Sequence, residues 1–398
     1  MSATNNLGSF DKGWLSPTAL SDRLTSGFGY TVNLAAGQAV TFKGQPGFGD
    51  LARSLTRNAA SSATATDAGW QLLGNPYPSP YDYSLQAAND RLNLDAAIYI
   101  FESTSQYGGN YRAYINGVGS GSPVLAMGQA FFTRVSAGQT TGSLTFRNAN
   151  RVTTYTNPTY HRLAETRPLV QLTLTGAGSS LADDAYVYFE QNATDALDPQ
   201  YDALKLPNTT GLNLSTSLAG SQLAIDGRSP LGATQRVVSL AVGVPAAGSY
   251  TLAAAQLLNL STVPVYLRDL QSGTLIDLRQ QPTYQFTVSN ASALLTGRFE
   301  LVFSPQQPLT TVPAALAQQV GVYPNPARTQ VTVELPLSLS RQPVTATLVD
   351  ALGRTVRQQV LSANLTTHQL LLQEAATGVY SLHLTTELGT VVKRLVVE

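Results

Sequence analysis

The sequence predicts an all-β chain built of tandem β-sandwich modules. Charged residues make up 12% of its 398 residues, about half the roughly 25% of an average globular protein. Apolar and polar residues alternate in short runs instead of recurring at helical spacing. Turn-forming residues separate those runs, as many short strands require. The length suggests two to four units of roughly 100 to 200 residues.

In chain order, residues 28–34 and 38–43 read as a hairpin around a turn at 35–37. Residues 58–67 carry no large apolar side chain and read as a mobile loop. Gly69-Trp70-Gln71-Leu72-Leu73 reads as a strand that Gly74 and the prolines at 76, 78 and 80 stop abruptly. Runs at 96–101, 109–114, 128–135 and 142–146 complete an N-terminal β module, residues 1–155. A Pro-containing stretch at 155–168 marks a boundary. Seven further alternating runs between 169 and 303 then predict a central β-sandwich, residues 165–304. Leu270-Gln271-Ser272-Gly273 reads as a hairpin turn. Residues 305–319 read as a linker with weak helical character near 311–319. Beyond it, residues 320–398 return to short alternating strands, with a turn at 351–354.

Composition excludes several function classes. Twenty-four basic residues balance twenty-four acidic ones, so no basic field exists for nucleic acid or anionic lipid. The chain has no cysteine, which removes disulfides, thiolate nucleophiles and cysteine metal sites together. No apolar run reaches the roughly 18 residues of a membrane span. Residues 1–26 hold no apolar segment of the length a secretory signal needs; the expectation is a fragment, or a misassigned start, of a longer surface protein.

Catalytic signatures are equally scarce. The three histidines, His161, His368 and His383, fall in separate segments. No nucleophile, zinc, Walker or dinucleotide motif accompanies them. Asp195, Asp198 and Asp202 share one loop that could offer calcium several hard oxygens, although Asp is also a common turn residue. Trp70, Tyr77, Tyr81 and Tyr83 cluster around prolines, and Tyr107, Tyr111 and Tyr114 around glycines. Such aromatics either stack on sugars or a protein partner, or fill a core; their high average burial favours the core.

In the C-terminal run, Tyr323-Pro324-Asn325-Pro326 fixes two φ angles and biases the segment to an extended form. Asp350, Leu352, Gly353 and Arg354 form a turn, Gly378-Val379-Tyr380 opens one strand, and Gly389 and Lys393 lie in the last. These motifs, with Leu384, occur in the order and spacing of the type A C-terminal sorting domain of the type IX secretion system of Bacteroidetes, which residues 320–398 closely resemble. The resemblance implies a seven-stranded immunoglobulin-like domain recognised by the outer-membrane translocon. It also implies cleavage by a sortase-like peptidase and attachment of the mature protein to surface lipopolysaccharide. The Gly-Trp, Gly-Asn-Pro-Tyr-Pro and Gly-Gln-Ala-Phe-Phe segments resemble a module common upstream of such domains. The resemblance does not supply the role of that module; because the chain lacks cysteines and nucleophile motifs and its histidines are scattered, the upstream units are expected to be non-catalytic, an adhesin or carbohydrate-binding stalk for a glycan or surface-protein ligand, or the accessory tail of a secreted enzyme.

Overall fold

The computed structural model describes residues 19, 21–32, 38, 39, 41, 43–57, 68–105, 108–153, 165–178, 180–291, 294–304, 314–350, 353–372, 375–386 and 389–398. The loop expected at 58–67, much of the 28–43 hairpin, His161, Tyr107, Leu352 and most of the linker lie outside them. The chain forms two compact units, Met1–Gln306 and Gln307–Glu398. No helix among the described residues is long and apolar enough to cross a membrane.

The first unit stacks β layers. Strands Leu51–Thr56, Thr141–Phe146 and Arg91–Leu92 form an outer three-stranded sheet. Beneath it lies a five-stranded sheet of Trp70–Gly74, Ala130–Arg134, Ile98–Ser103, Gly109–Ile115 and Val118–Gly119, in that spatial order. This sheet is buried on both faces. Leu73, Ile98, Tyr114 and Phe131 face a core closed by Leu55, Leu144 and Phe146. Trp70, Tyr99, Ala113 and Ile115 face a second core, closed by Leu169, Tyr186, Tyr188 and Ile225 from beyond the 155–168 boundary. The two segments that the sequence divides there therefore share one interior. The continuous apolar run at 96–101 is the pattern of a strand buried on both sides.

Apart from a short pairing of Tyr81–Asp82 with Val124–Leu125, the rest of this unit is one eleven-stranded sheet folded over on itself. Leu172, Val187, Leu252 and Phe286 on one half meet Leu214, Leu240, Leu267 and Leu301 on the other. Strands Asn213–Leu218 and Ser221–Arg228 join the halves, the latter pairing parallel with Ala182–Phe189. The expected turn at 270–273 is present, with Gly273 at φ +69° between Val265–Asp269 and Thr274–Asp277.

The second unit is a seven-stranded sandwich. A sheet of Gly321–Tyr323, Gln330–Glu334 and Thr367–Leu371 accompanies a sheet ordered Thr355–Leu361, Val344–Val349, Gly378–Thr386 and Gly389–Val397. Val331, Val333 and Leu370 from one and Ala346, Leu382 and Leu395 from the other share a core. The weak helical signal becomes a five-residue helix, Ala314–Gln318.

Candidate functional site

The C-terminal motif residues divide into those that build the sandwich and those that lie on its surface. Gly353 turns the hairpin between Val344–Val349 and Thr355–Leu361 at φ +82°. Asp350 closes that turn, accepting from the Arg354 N–H at 2.9 Å and from its guanidinium Nε at 2.8 Å. Gly378 opens a strand whose Tyr380 is buried and donates its hydroxyl to the Ala376 carbonyl at 2.6 Å. Gly389, at φ +129°, opens the last strand, where the Thr386 hydroxyl donates to its carbonyl at 2.8 Å. Lys393 is half-buried, in the inward rank between Val391 and Leu395.

Tyr323, Pro324, Asn325 and Pro326 are all exposed. The sequence expects an extended segment here, but extension ends at Tyr323 and the chain bends through residues 324–326. Both X–Pro bonds are cis. The local bias of proline gives way to tertiary bonding, because Asn325 is held against the terminal strand. Its Nδ2 donates to the Arg394 carbonyl at 2.8 Å, and its Oδ1 accepts the Val396 N–H at 2.9 Å. Ala327 continues the contact, donating to the Val396 carbonyl and accepting from Glu398 N–H at 2.9 and 2.8 Å. Strand Gly389–Val397 is an edge strand, and the motif at the start of the domain covers its outer hydrogen-bonding groups near the C-terminus. This capping role was not read from the sequence; the signal was an amide side chain between two prolines.

The aromatic cluster is core. Trp70, Tyr77, Tyr81, Tyr83 and Tyr114 are all less than 9% exposed, and Tyr111 is half-buried. Trp70 meets Tyr99 edge-on at 5.1 Å between ring centres. A sugar platform on Trp70 is thereby excluded, since its ring faces the interior.

The three loop carboxylates are bonded to the chain itself. Asp202 is buried, with Oδ1 accepting the Gly227 N–H at 2.8 Å and Oδ2 the Asp198 N–H at 2.6 Å. Burial pushes its pKa up to about 7, helped by neighbouring Asp226 and Asp198 and opposed by those two bonds. Asp198 Oδ1 accepts the Gln200 N–H at 3.0 Å. Asp195 pairs with Arg236 and accepts the Ser229 hydroxyl at 2.8 Å; although burial opposes it, these partners hold its carboxyl below the usual range. Among the described residues, no three or more His, Cys, Asp or Glu side chains gather to hold a metal ion; Asp195, Asp198 and Asp202, the residues expected to offer calcium its oxygens, each make turn or strand bonds here. The loop also fastens the two segments of the first unit. Ala96 N–H donates to the Pro199 carbonyl at 2.8 Å, and the Asn116 side chain donates to the Gln200 carbonyl at 2.8 Å.

The two histidines among the described residues stay apart. His368 is buried beside the Leu365 carbonyl, 3.1 Å from its Nε2. His383 lies half-buried on the other sheet, facing away from Leu382 and Leu384.

The family model described as a domain of unknown function, DUF8693, matches residues 10–303. The chain belongs to the DUF8693 family. This DUF8693 protein ends in a secretion system C-terminal sorting domain, whose model matches residues 321–398. That domain marks the chain for export by the type IX secretion system to the cell surface or beyond. No curated protein matches it. Among solved structures it is similar to PorZ, an essential bacterial surface component of the type IX secretion system of Porphyromonas gingivalis. Identity is 14% and the TM-score 0.18, over 80% of this chain and 59% of that one. It is similar also to the BSP domain of a biofilm associated protein, at 7% identity and a TM-score of 0.18 over 92% and 84% of the two chains. Dimeric latent PorU from the same organism matches at 10% identity and 0.17 over 82% and 31%. The chain thus spans less than two thirds of the PorZ structure, and likenesses this distant carry no function across.

Proposed function

We propose that this is a non-catalytic secreted or cell-surface protein whose residues 320–398 are read by the type IX outer-membrane translocon. A sortase-like peptidase then removes the domain and the rest is anchored at the surface. The observation that carries the reading is the surface motif Tyr323-Pro324-Asn325-Pro326 fastened onto the terminal strand, within a domain whose family match runs to the last residue. A translocon that accepts folded cargo must recognise a formed surface, and this one joins both ends of the domain. Absence of catalysis is supported by the separated histidines and by the bonding of the loop carboxylates.

The test is a periplasmic reporter fused to residues 320–398, carrying an added export signal, in a Bacteroidetes host with a working type IX system. The reporter should reach the medium or surface. Tyr323→Ala with Pro326→Ala should trap it in the periplasm while leaving the fold intact by circular dichroism. Retention of the unmodified fusion would sink the proposal.

A further inference from the structure

We infer that the groove beside strands Ile98–Ser103 and Gly109–Ile115 in the first unit binds a neutral saccharide. It is a shallow groove, open to solvent along its length, with a volume of about 560 Å³. The strand register puts Ile100, Glu102 and Arg112 on one face, with Ile100 directly opposite Arg112. Phe101 turns its ring to the other face, where it meets Tyr111 at 5.0 Å. Loop residues 120–122 form one wall. The Gly121 N–H donates to the Ala113 carbonyl at 2.8 Å. A Cβ at Gly121 would approach the Arg112 carbonyl oxygen to 2.9 Å, so the missing side chain lets this wall lie flush on the strand.

The polar groups in this groove are oriented but not used up. Arg112 Nε donates to Glu102 Oε2 at 2.7 Å. Among the described residues, that bond leaves both guanidinium Nη groups and Glu102 Oε1 without a further hydrogen bond. Gln129 accepts the Ala126 N–H through Oε1 at 2.8 Å, which fixes the amide and leaves its Nε2 as a donor. Ser120 adds an exposed hydroxyl. Donors beside an acceptor suit groups that donate and accept at once, which is the chemistry of adjacent sugar hydroxyls. The ion pair cancels its own charge, so the groove offers no net field to select an ion. Half-buried Ile100 supplies an apolar spot for the C–H face of a ring.

The test is calorimetric titration of the full chain with a panel of neutral hexose and N-acetylhexosamine oligosaccharides. Polygalacturonate and a neutral tetrapeptide serve as competitors in class. At least one neutral oligosaccharide should bind saturably. Arg112→Ala should weaken it about tenfold or more, a loss of roughly 1.4 kcal/mol or greater. Ser120→Trp, which fills the groove and leaves the ion pair in place, should do the same, while Leu92→Ala, outside the groove, should change nothing. Overturning results are no saturable binding by any neutral sugar, binding that survives both variants, or a preference for polygalacturonate or peptide. This outcome is independent of the export assay, which reads only the C-terminal domain.

Discussion

Asn325 accepts the backbone N–H of Val396 at 2.9 Å, from 71 residues away in the chain. With its second bond to the Arg394 carbonyl, one side-chain amide does what a neighbouring strand would do at this edge. Two exposed hydrogen bonds at roughly 0.5–1.5 kcal/mol each amount to about 1–3 kcal/mol. Asn325→Ala should therefore lower the melting midpoint of a 307–398 fragment by at least about 4 °C. Asn325→Asp, which retains the acceptor and loses the donor, should fall between. An unchanged midpoint in the alanine variant would mean that the contact contributes nothing in solution.

Gly353 sits at φ +82° with open space where a Cβ would go. Its replacement meets no clash, so the cost is conformational alone. Gly353→Ala should destabilise the C-terminal unit by about 1–2 kcal/mol in urea unfolding. Gly353→Asn should cost less, since Asn visits this backbone region more readily. Equal losses for both would point to a steric cause that the structure does not contain.

Asp202 links stability to pH. Its pKa of about 7 in the folded chain lies above the ordinary 3.8, so the folded state keeps a proton that the unfolded state has lost. This contribution is therefore greatest below about pH 4, falls as pH rises towards 7, and is constant above that. The difference corresponds to roughly 4 kcal/mol between those two limits. Asp202→Asn should flatten the stability curve between about pH 4 and 7, whatever its effect on absolute stability. Parallel curves for the two proteins, measured by chemical unfolding, would refute this.

Gly119 packs against the second segment of the first unit. A Cβ there would lie 2.2 Å from the Ala113 carbonyl oxygen and 2.8 Å from Ile225 Cδ1, at a backbone φ of +124°. Backbone strain and overpacking together should make Gly119→Ala cost about 2–4 kcal/mol. Because Ile225 belongs to the shared core, hydrogen exchange should rise in residues 165–304 as well as near the substitution. Exchange confined to 109–125 would mean that the segments unfold separately.

Much of this fold was legible because most strands announce themselves as short apolar or alternating runs bounded by turn residues, from 96–101 through 298–303. The hairpin of Asn213–Leu218 and Ser221–Arg228 was not read, because Ser and Thr dilute its apolar positions. Its signal was the turn, Ala219 and Gly220, both at positive φ. The shared core was harder still. Alternation reports that a strand has an inner face but not what covers it, and a strand with two inner faces looks like any short apolar run. At the C-terminus, the ordered motifs identified the domain, and Gly353 and Asp350 act as their local chemistry suggests. The grip of Asn325 on Val396 depends on a contact between the domain's two ends, which no local window contains. The groove at Arg112 escaped for the same reason: its residues come from two strands and two loops.

The five-stranded sheet with two interior faces also bears on how such proteins can change over time. A module with one greasy side can be copied, swapped or spliced into new neighbours provided its exposed side stays polar. Here the Trp70 and Tyr99 face needs Tyr186, Tyr188 and Ile225 to cover it, so neither segment can be inherited without the other. Recombination inside residues 155–168 would strand a hydrophobic surface in water, whereas residues 307–398 have a core of their own and a join ahead of them exposes no such face.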